Sequence, residues 1–204
     1  MAELACVVLA GGAGQRMGGV DKGLQDYRGR PLVQQVLERL HRQQGVPQLP
    51  VGINANRHMT QYAALGAPVW NDGQDGFGGP LQGMLASMRA VGTHFPQAQA
   101  VLFTACDTPH LPLDLARRLL NARLQTGARA IAVRLSTRVH PLPCLLDCEL
   151  RTSLSHYLDE GQRKVQVWLE RCGVHWVDFD GPGDQPEAFA NFNSLADLQS
   201  GQGN

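Results

Sequence analysis

The chain is 204 residues long, with 43% hydrophobic and 18% charged residues. That balance excludes a disordered chain and allows a core holding about 70% of the unfolded surface. Its 18 Lys and Arg are matched by 18 Asp and Glu, for a net charge of zero, so nothing global directs it to nucleic acid or to a membrane surface.

The elements alternate in type along the chain. Residues 4–10 form a continuous apolar run. It comes too early and is far shorter than the roughly 20 residues of a bilayer span, and it reads as a strand covered on both faces. A stretch from Gly11 to Gly19 follows, in which five of nine residues are glycine. Pro31 opens a helix with Leu32, Val33, Val36, Leu37 and Leu40 at helical spacing. A strand is expected at 49–53, a short helix at 57–65 and a short strand at 68–71. A glycine-rich loop over 72–79 leads to a helix starting near Pro80.

Residues 100–105, apolar but for Thr104, read as a second buried strand, ending at Cys106-Asp107. An amphipathic helix is expected at 113–124 and a strand at 129–133. Another strand, at 142–146, is expected at a sheet edge because Pro141 and Pro143 flank its start. Helices at 150–158 and 164–171, strands at 174–179 and 188–192, and a last helix at 194–198 complete the pattern. Trp70, Trp168 and Trp176 read as core residues. Strand–helix alternation of this kind implies an α/β fold: a doubly wound, mainly parallel sheet with helices on both faces, Rossmann-like. One domain over residues 1–200 is expected, with a flexible tail at 201–204. The five cysteines contain no Cys-x-x-Cys pair, which argues against zinc and a disulfide framework, and for a reducing cytoplasm.

The glycine stretch carries the clearest chemistry. Glycines leave room for close backbone approach, and successive N–H groups can form a concave anion site. Arg16 and Lys22 add positive charge in the same loop. Neither the Walker A pattern nor the dinucleotide fingerprint fits: Lys22 lies between Asp21 and Gly23, and Met17 stands where the third fingerprint glycine belongs. A plain strand-to-helix turn explains one or two glycines but not five with two cations, so the loop reads as a triphosphate site. Asp107 follows a strand, where open α/β sheets bind ligands. Beside a phosphate loop it is a candidate Mg²⁺ ligand, since Mg²⁺ binds one or two carboxylates plus phosphate oxygens. Asp72 and the Gly79-Pro80-Leu81-x-Gly83 stretch suit a nucleoside or phosphate contact, or equally a connector before a helix. Asn54 suits a base or ribose contact, or a turn. Arg134 and Arg138 flank a short basic stretch before His140-Pro141, read as a solvated turn ahead of an anion contact.

Together, Gly11-Gly12-x-x-x-Arg16-Met17-Gly18-Gly19-x-Asp21-Lys22, Asn54-Ala55-Asn56-Arg57, Gly79-Pro80-Leu81-x-Gly83 and Cys106-Asp107-x-Pro109 resemble the molybdenum cofactor guanylyltransferases, the MobA family, nearly end to end. The glycine pattern alone is shared with broader nucleotidyltransferases; its combination with Asp21-Lys22 and Asn-Ala-Asn-Arg is more specific. The resemblance implies GMP transfer from GTP to the terminal phosphate of molybdopterin, with Mg²⁺ and release of pyrophosphate. It implies nucleotide contacts from Leu9, Ala10, Gly11, Gly12, Lys22, Asn54, Asp72, Gly79, Gly83 and Asp107. Arg16, Lys22 and Asp107 take catalytic roles, Asp107 as the metal ligand, and Arg163, Asn191 and Asn193 lie on the acceptor side. It also implies transient contact with molybdopterin-synthesis proteins and molybdoenzyme apoproteins; a cytoplasmic monomer is expected. A CTP-dependent cytidylyltransferase, a sugar-phosphate nucleotidyltransferase and a non-catalytic GTP-binding module stay open as alternatives.

Overall fold

The computed structural model describes residues 3–12, 21–73, 79–193 and 197. Arg16, Gly14, Gly18, Gly19, the loop stretch 74–78, most of the helix expected at 194–198 and the tail 201–204 lie outside the described residues.

In chain order the elements are β1 (Leu4–Leu9), β2 (Asp26–Tyr27), β3 (Arg30–Pro31), α1 (Leu32–His41), β4 (Val51–Asn54), α2 (Met59–Ala63), β5 (Val69–Trp70) and α3 (Pro80–His94). They continue as β6 (Ala100–Ala105), α4 (Leu115–Thr126), β7 (Ala130–Leu135), β8 (Arg138–Asp147), α5 (Arg151–Asp159), α6 (Val165–Arg171) and β9 (His175–Asp178). Seven strands form one sheet in the order β5-β4-β1-β6-β8-β7-β9. β1 runs parallel to β4 and β6, β4 to β5, and β7 to β9; only β8 is antiparallel to its neighbours.

Helices cover both faces, which explains why β1 is apolar at every position and β6 at every position but Thr104. Leu4, Cys6 and Val8 of β1 pack with Val33, Val36 and Leu40 of α1 and Leu115 and Leu119 of α4. The alternate residues Ala5, Val7 and Leu9 pack on the other face, with Leu81, Met84 and Met88 of α3, Leu154 of α5 and Trp168 of α6. No helix among the described residues is long and apolar enough to cross a membrane.

Four expectations are corrected. β8 is an internal strand, not an edge strand, lying between β6 and β7. Its prolines are tolerated because pairing with β6 stops at Phe103↔Cys144, while the register with β7 jumps from Ala132↔Cys144 to Val133↔His140. Pro141 and Pro143 thus fall in a bulge, where no ladder hydrogen bond is required of them. Residues 188–192 form a turn and an extended strip, not a strand. Their apolar spacing instead reflects anchoring: Ala188 and Phe189 join the core on the α1/α4 side, and Phe192 packs with Tyr27 and Leu32. Trp176 is only partly buried, because β9 is an edge strand. The basic stretch at 134–138 is also more structured than a solvated turn. Arg134 lies in β7, its guanidinium on the Asp178 carboxylate of β9, and Ser136 turns the chain at φ 54°.

Candidate active site

Parallel pairing sets the site. Trp70, Asn54, Leu9 and Ala105 are paired across β5, β4, β1 and β6, one residue from each strand. The residues just beyond them, Asp72, Asn56, Gly11 and Asp107, therefore leave the sheet along one edge, where open α/β sheets hold ligands. Gly11 and Gly12, where the glycine stretch begins, are on the same edge as Asp107, as a polyphosphate site with a metal ligand requires.

On the β4 side lies a buried amide–carboxylate cluster. Asn54 Nδ2 donates to Asp72 Oδ1 at 2.8 Å, and Asn56 Nδ2 donates to Asp72 Oδ2 at 2.8 Å. The Asp72 backbone N–H returns a bond to Asn56 Oδ1 at 2.9 Å. Two glycines make room for this cluster. A Cβ on Gly83 of α3 would lie 2.4 Å from Asn54 Oδ1, and one on Gly11 would lie 3.1 Å from Asn56 Nδ2. Around Gly12 and Gly79 there is open space instead, and Gly79, at φ 78°, delivers the chain to the N-terminus of α3. That terminus favours an anion. Leu9 and Ala10 shape the edge through the sheet, since Cys106 N–H donates to Leu9 O and Ala10 N–H donates to Asn54 O.

On the β6 side, the Lys22 ammonium donates to the Asp107 carboxylate and, at 2.8 Å, to Asn193 Oδ1. Asp107 is 7% exposed, and its Oδ1 is buried with no partner among the described residues. The strip 191–193 is stitched beneath it: Phe192 N–H donates to Asp107 O at 3.0 Å, and Thr108 Oγ1 donates to Asn191 Oδ1 at 3.0 Å. Residues 171 apart in sequence thus meet at one ammonium.

Lys22 itself is held from behind. It opens a 3-10 turn, Lys22–Leu24, preceded by buried Asp21. The hydroxyl of Tyr62, fully buried on α2, donates to Asp21 Oδ1 at 2.5 Å. Burial pushes the Tyr62 phenol far above its usual range, so it remains a donor. The next residue must be glycine: a Cβ on Gly23 would lie 2.5 Å from the Tyr62 hydroxyl and 3.3 Å from the Cys106 side chain. Burial likewise raises the Cys106 pKa, leaving a neutral thiol beside Asp107 rather than a nucleophile.

The structure thus brings Gly11, Gly12, Lys22, Asn54, Asp72, Gly79, Gly83, Asp107, Asn191 and Asn193 to one edge. Arg163 is not joined to them. It is exposed in the α5–α6 loop, where its guanidinium bonds the Leu158 and Gln162 carbonyls at 2.9 and 2.7 Å. Two participants, Asn56 and Tyr62, do not follow from residue types alone. Asn56 was legible through its i, i+2 spacing from Asn54, which suits one side of an extended segment. Tyr62 carried no comparable signal.

A family model described as the MobA-like NTP transferase domain matches residues 6–176. A molybdenum cofactor guanylyltransferase of Acidovorax sp. is 41% identical over 211 residues, covering 98% of this chain and 96% of the relative. That of Mannheimia succiniciproducens is 40% identical, with 97% of each covered. The crystal structure of molybdopterin-guanine dinucleotide biosynthesis protein A from Archaeoglobus fulgidus is similar at a TM-score of 0.74 and 23% identity, over 97% of this chain and 96% of that one. With the edge geometry above, these likenesses establish that the chain belongs to the molybdenum cofactor guanylyltransferases of the MobA-like NTP transferase family.

Proposed function

We propose that the chain transfers GMP from GTP to the terminal phosphate of molybdopterin, giving molybdopterin guanine dinucleotide and pyrophosphate. The observation that carries this reading is the Lys22–Asp107–Asn193 group, placed on the same sheet edge as Asn54 and Asp72. An ammonium has three donors. Two are directed at Asp107 and Asn193, and the third is left for a phosphate oxygen. The acceptor phosphate is largely ionised near neutral pH, its second pKa being about 6, so the reaction needs no general base. An acceptor oxygen forms the new bond to the α-phosphorus as the bond to the β-phosphate bridging oxygen breaks. The protein's task is alignment and charge neutralisation at fixed donors. Arg16 serves the phosphates from the glycine loop, Asn191 and Asn193 serve the acceptor, and Arg163, which stands apart from them, would have to reach the acceptor from the α5–α6 loop.

Mg²⁺ fits the residues present. Asp107 would hold it through the buried Oδ1 that lacks a partner. The described residues contain no group of three or more His, Cys, Asp or Glu able to hold a metal, and a single carboxylate with phosphate oxygens is a usual Mg²⁺ site. The ion would supply positive charge to the triphosphate. We further read residues 1–200 as one nucleotidyltransferase domain, a cytoplasmic monomer that meets molybdopterin-synthesis proteins and molybdoenzyme apoproteins transiently; five free cysteines suit that compartment.

The test is pyrophosphate release on anaerobic incubation with molybdopterin, Mg²⁺ and each nucleoside triphosphate in turn. GTP alone should be turned over. Turnover of CTP in its place would remove the guanylyl assignment, and GTP binding without any transfer would leave a binding module. Asp107→Ala should keep the fold and lose transfer; undiminished release from it would refute the metal role.

A further inference from the structure

A cavity of about 490 Å³ lies between the β7–β8 turn and the segment 179–190, lined by Ser136, Arg138, His140, Phe179, Glu187 and Ala190 among others. Its volume is that of a small-molecule site. β8 is antiparallel to β6, so its start at Arg138 lies toward the edge where β6 ends. The cavity therefore opens on the catalytic side of the sheet, beyond β6 and away from the Asn54–Asp72 cluster. It is tied to the reaction centre by the chain itself: Ala190 lines the cavity, and three residues later Asn193 accepts from Lys22. Three extended residues span at most about 10 Å.

The walls are selective in charge. Asp184 is committed to Arg118 at 2.6 Å and to Gly181 N–H at 2.9 Å, and Asp180 accepts from Ser136 N–H at 2.6 Å. Three polar groups are left. Glu187 and Arg138 form no ion pair among the described residues. His140 Nε2 is buried with no hydrogen-bond partner. With Asp184 paired to Arg118 and Asp180 engaged by Ser136, one carboxylate, one guanidinium and one imidazole nitrogen remain, which make a poor second phosphate cradle. They suit a neutral, flat heterocycle rich in N–H and C=O groups: a carboxylate can accept two adjacent N–H donors, and a guanidinium can meet a ring carbonyl.

We propose that this cavity takes the pterin end of the acceptor, with Glu187, Arg138 and His140 as its specificity-determining contacts. The assignment rests on the function proposed above, because it needs the acceptor phosphate at Lys22 and its ring beside Ala190, at most about 10 Å along the chain from Asn193. The aminopyrimidinone edge of a pterin is shared by guanine, so the test separates the two. Anaerobic binding of molybdopterin, and separately of GTP with Mg²⁺, is followed by tryptophan fluorescence in the wild type, Glu187→Gln, Arg138→Ala and Ala190→Trp. Glu187→Gln is an exposed, isosteric change that leaves the fold intact. Losing a hydrogen bond to a charged group should weaken molybdopterin binding about tenfold or more, while GTP binding stays within about twofold. Unchanged molybdopterin affinity in Glu187→Gln and Ala190→Trp overturns the inference, as does weakened GTP binding with molybdopterin untouched, which would make the cavity a guanine site. A wild type that does not bind molybdopterin also sinks it. Cavity-dependent binding of molybdopterin without GMP transfer would instead leave the pterin site standing and refute the proposed reaction.

Discussion

Two glycines of α3 should respond to the same substitution in opposite directions. Replacing a helical glycine with alanine ordinarily stabilises by about 0.5–1 kcal/mol, because the unfolded glycine has more freedom to lose. Gly92 is exposed, and a Cβ there meets nothing within 4 Å. Gly92→Ala should therefore gain that amount, roughly 1–4 °C in Tm for a chain of this size. Gly83→Ala places its Cβ 2.4 Å from Asn54 Oδ1. Asn54 is 1% exposed and cannot step aside, since its Nδ2 is held by Asp72 at 2.8 Å and by Trp70 O at 3.4 Å. Overpacking costs about 1–3 kcal/mol, and a buried polar group left unpaired about 1–3 more. After the helical gain the net loss centres on about 3 kcal/mol, or roughly 6–12 °C. Thermal unfolding of the two variants against wild type measures both, and GTP affinity should fall only in Gly83→Ala. A Gly83→Ala protein as stable as Gly92→Ala would mean that the Asn54–Asp72 cluster is not clamped against α3, and the argument for a rigid nucleotide edge would fail.

Tyr62→Phe keeps the ring but strips the buried Asp21 carboxylate of its hydroxyl partner, with an expected cost of about 1.5–3 kcal/mol by urea unfolding and a lower kcat from the loosened Lys22 turn; unchanged values for both would reduce Tyr62 to packing. Asn193→Ala removes one of the two acceptors that aim Lys22, so kcat should drop while GTP affinity holds. A kcat equal to wild type would detach the 191–193 strip from the chemistry. Stability should decline as pH falls from 7 toward 5: burial lowers the His110 and His140 pKa values, so the unfolded chain takes up those protons first, below its own value near 6.5. Asp178 and Asp184 are also held low, Asp178 chiefly by its hydrogen bond from Arg134 and Asp184 by its bonds from Arg118 and Gly181, and they extend the loss below about pH 4. A Tm that rises on acidification through pH 6 would contradict that sign.

What could be read from the sequence was what neighbouring residues decide. β1 is a continuous apolar run and β6 is one but for Thr104, so strand type and two-faced burial follow from composition, and the chemistry that leaves them, Gly11-Gly12 and Asp107, follows from position. β8 was misplaced because proline was weighed as a lost ladder bond; a bulge at 141–143 removes that requirement, and local sequence does not announce it. The β2–β3 hairpin was missed because its strands are only two residues each, joined through Arg28 at φ 55° and Gly29 at φ 82°. The bond from Tyr62 to Asp21 and the one from Lys22 to Asn193 cross 41 and 171 residues, distances over which periodicity carries no information. Asn191 and Asn193 were reached by resemblance alone.

The strip at 188–193 shows why the second half of the site sits so far along the chain. It has no ladder of its own, so its position comes from anchors at both ends. Phe189 meets Phe179 edge-on with centroids 5.0 Å apart, while Phe192 packs 4.7 Å from Tyr27, whose hydroxyl lies 3.2 Å from His110 Nε2. Between these aromatic anchors, Ala190 faces the cavity and Asn191 bonds Thr108; just past the second, Asn193 bonds Lys22. A displacement at the cavity wall cannot be absorbed locally, because Phe192 N–H is also fixed to Asp107 O. The strip is therefore fixed at both ends, and under the proposed function it sets the distance between whatever fills the cavity and the Lys22 ammonium. A reaction that joins two phosphates in line needs that distance fixed, and neither a flexible loop nor a contact confined to one end would fix it.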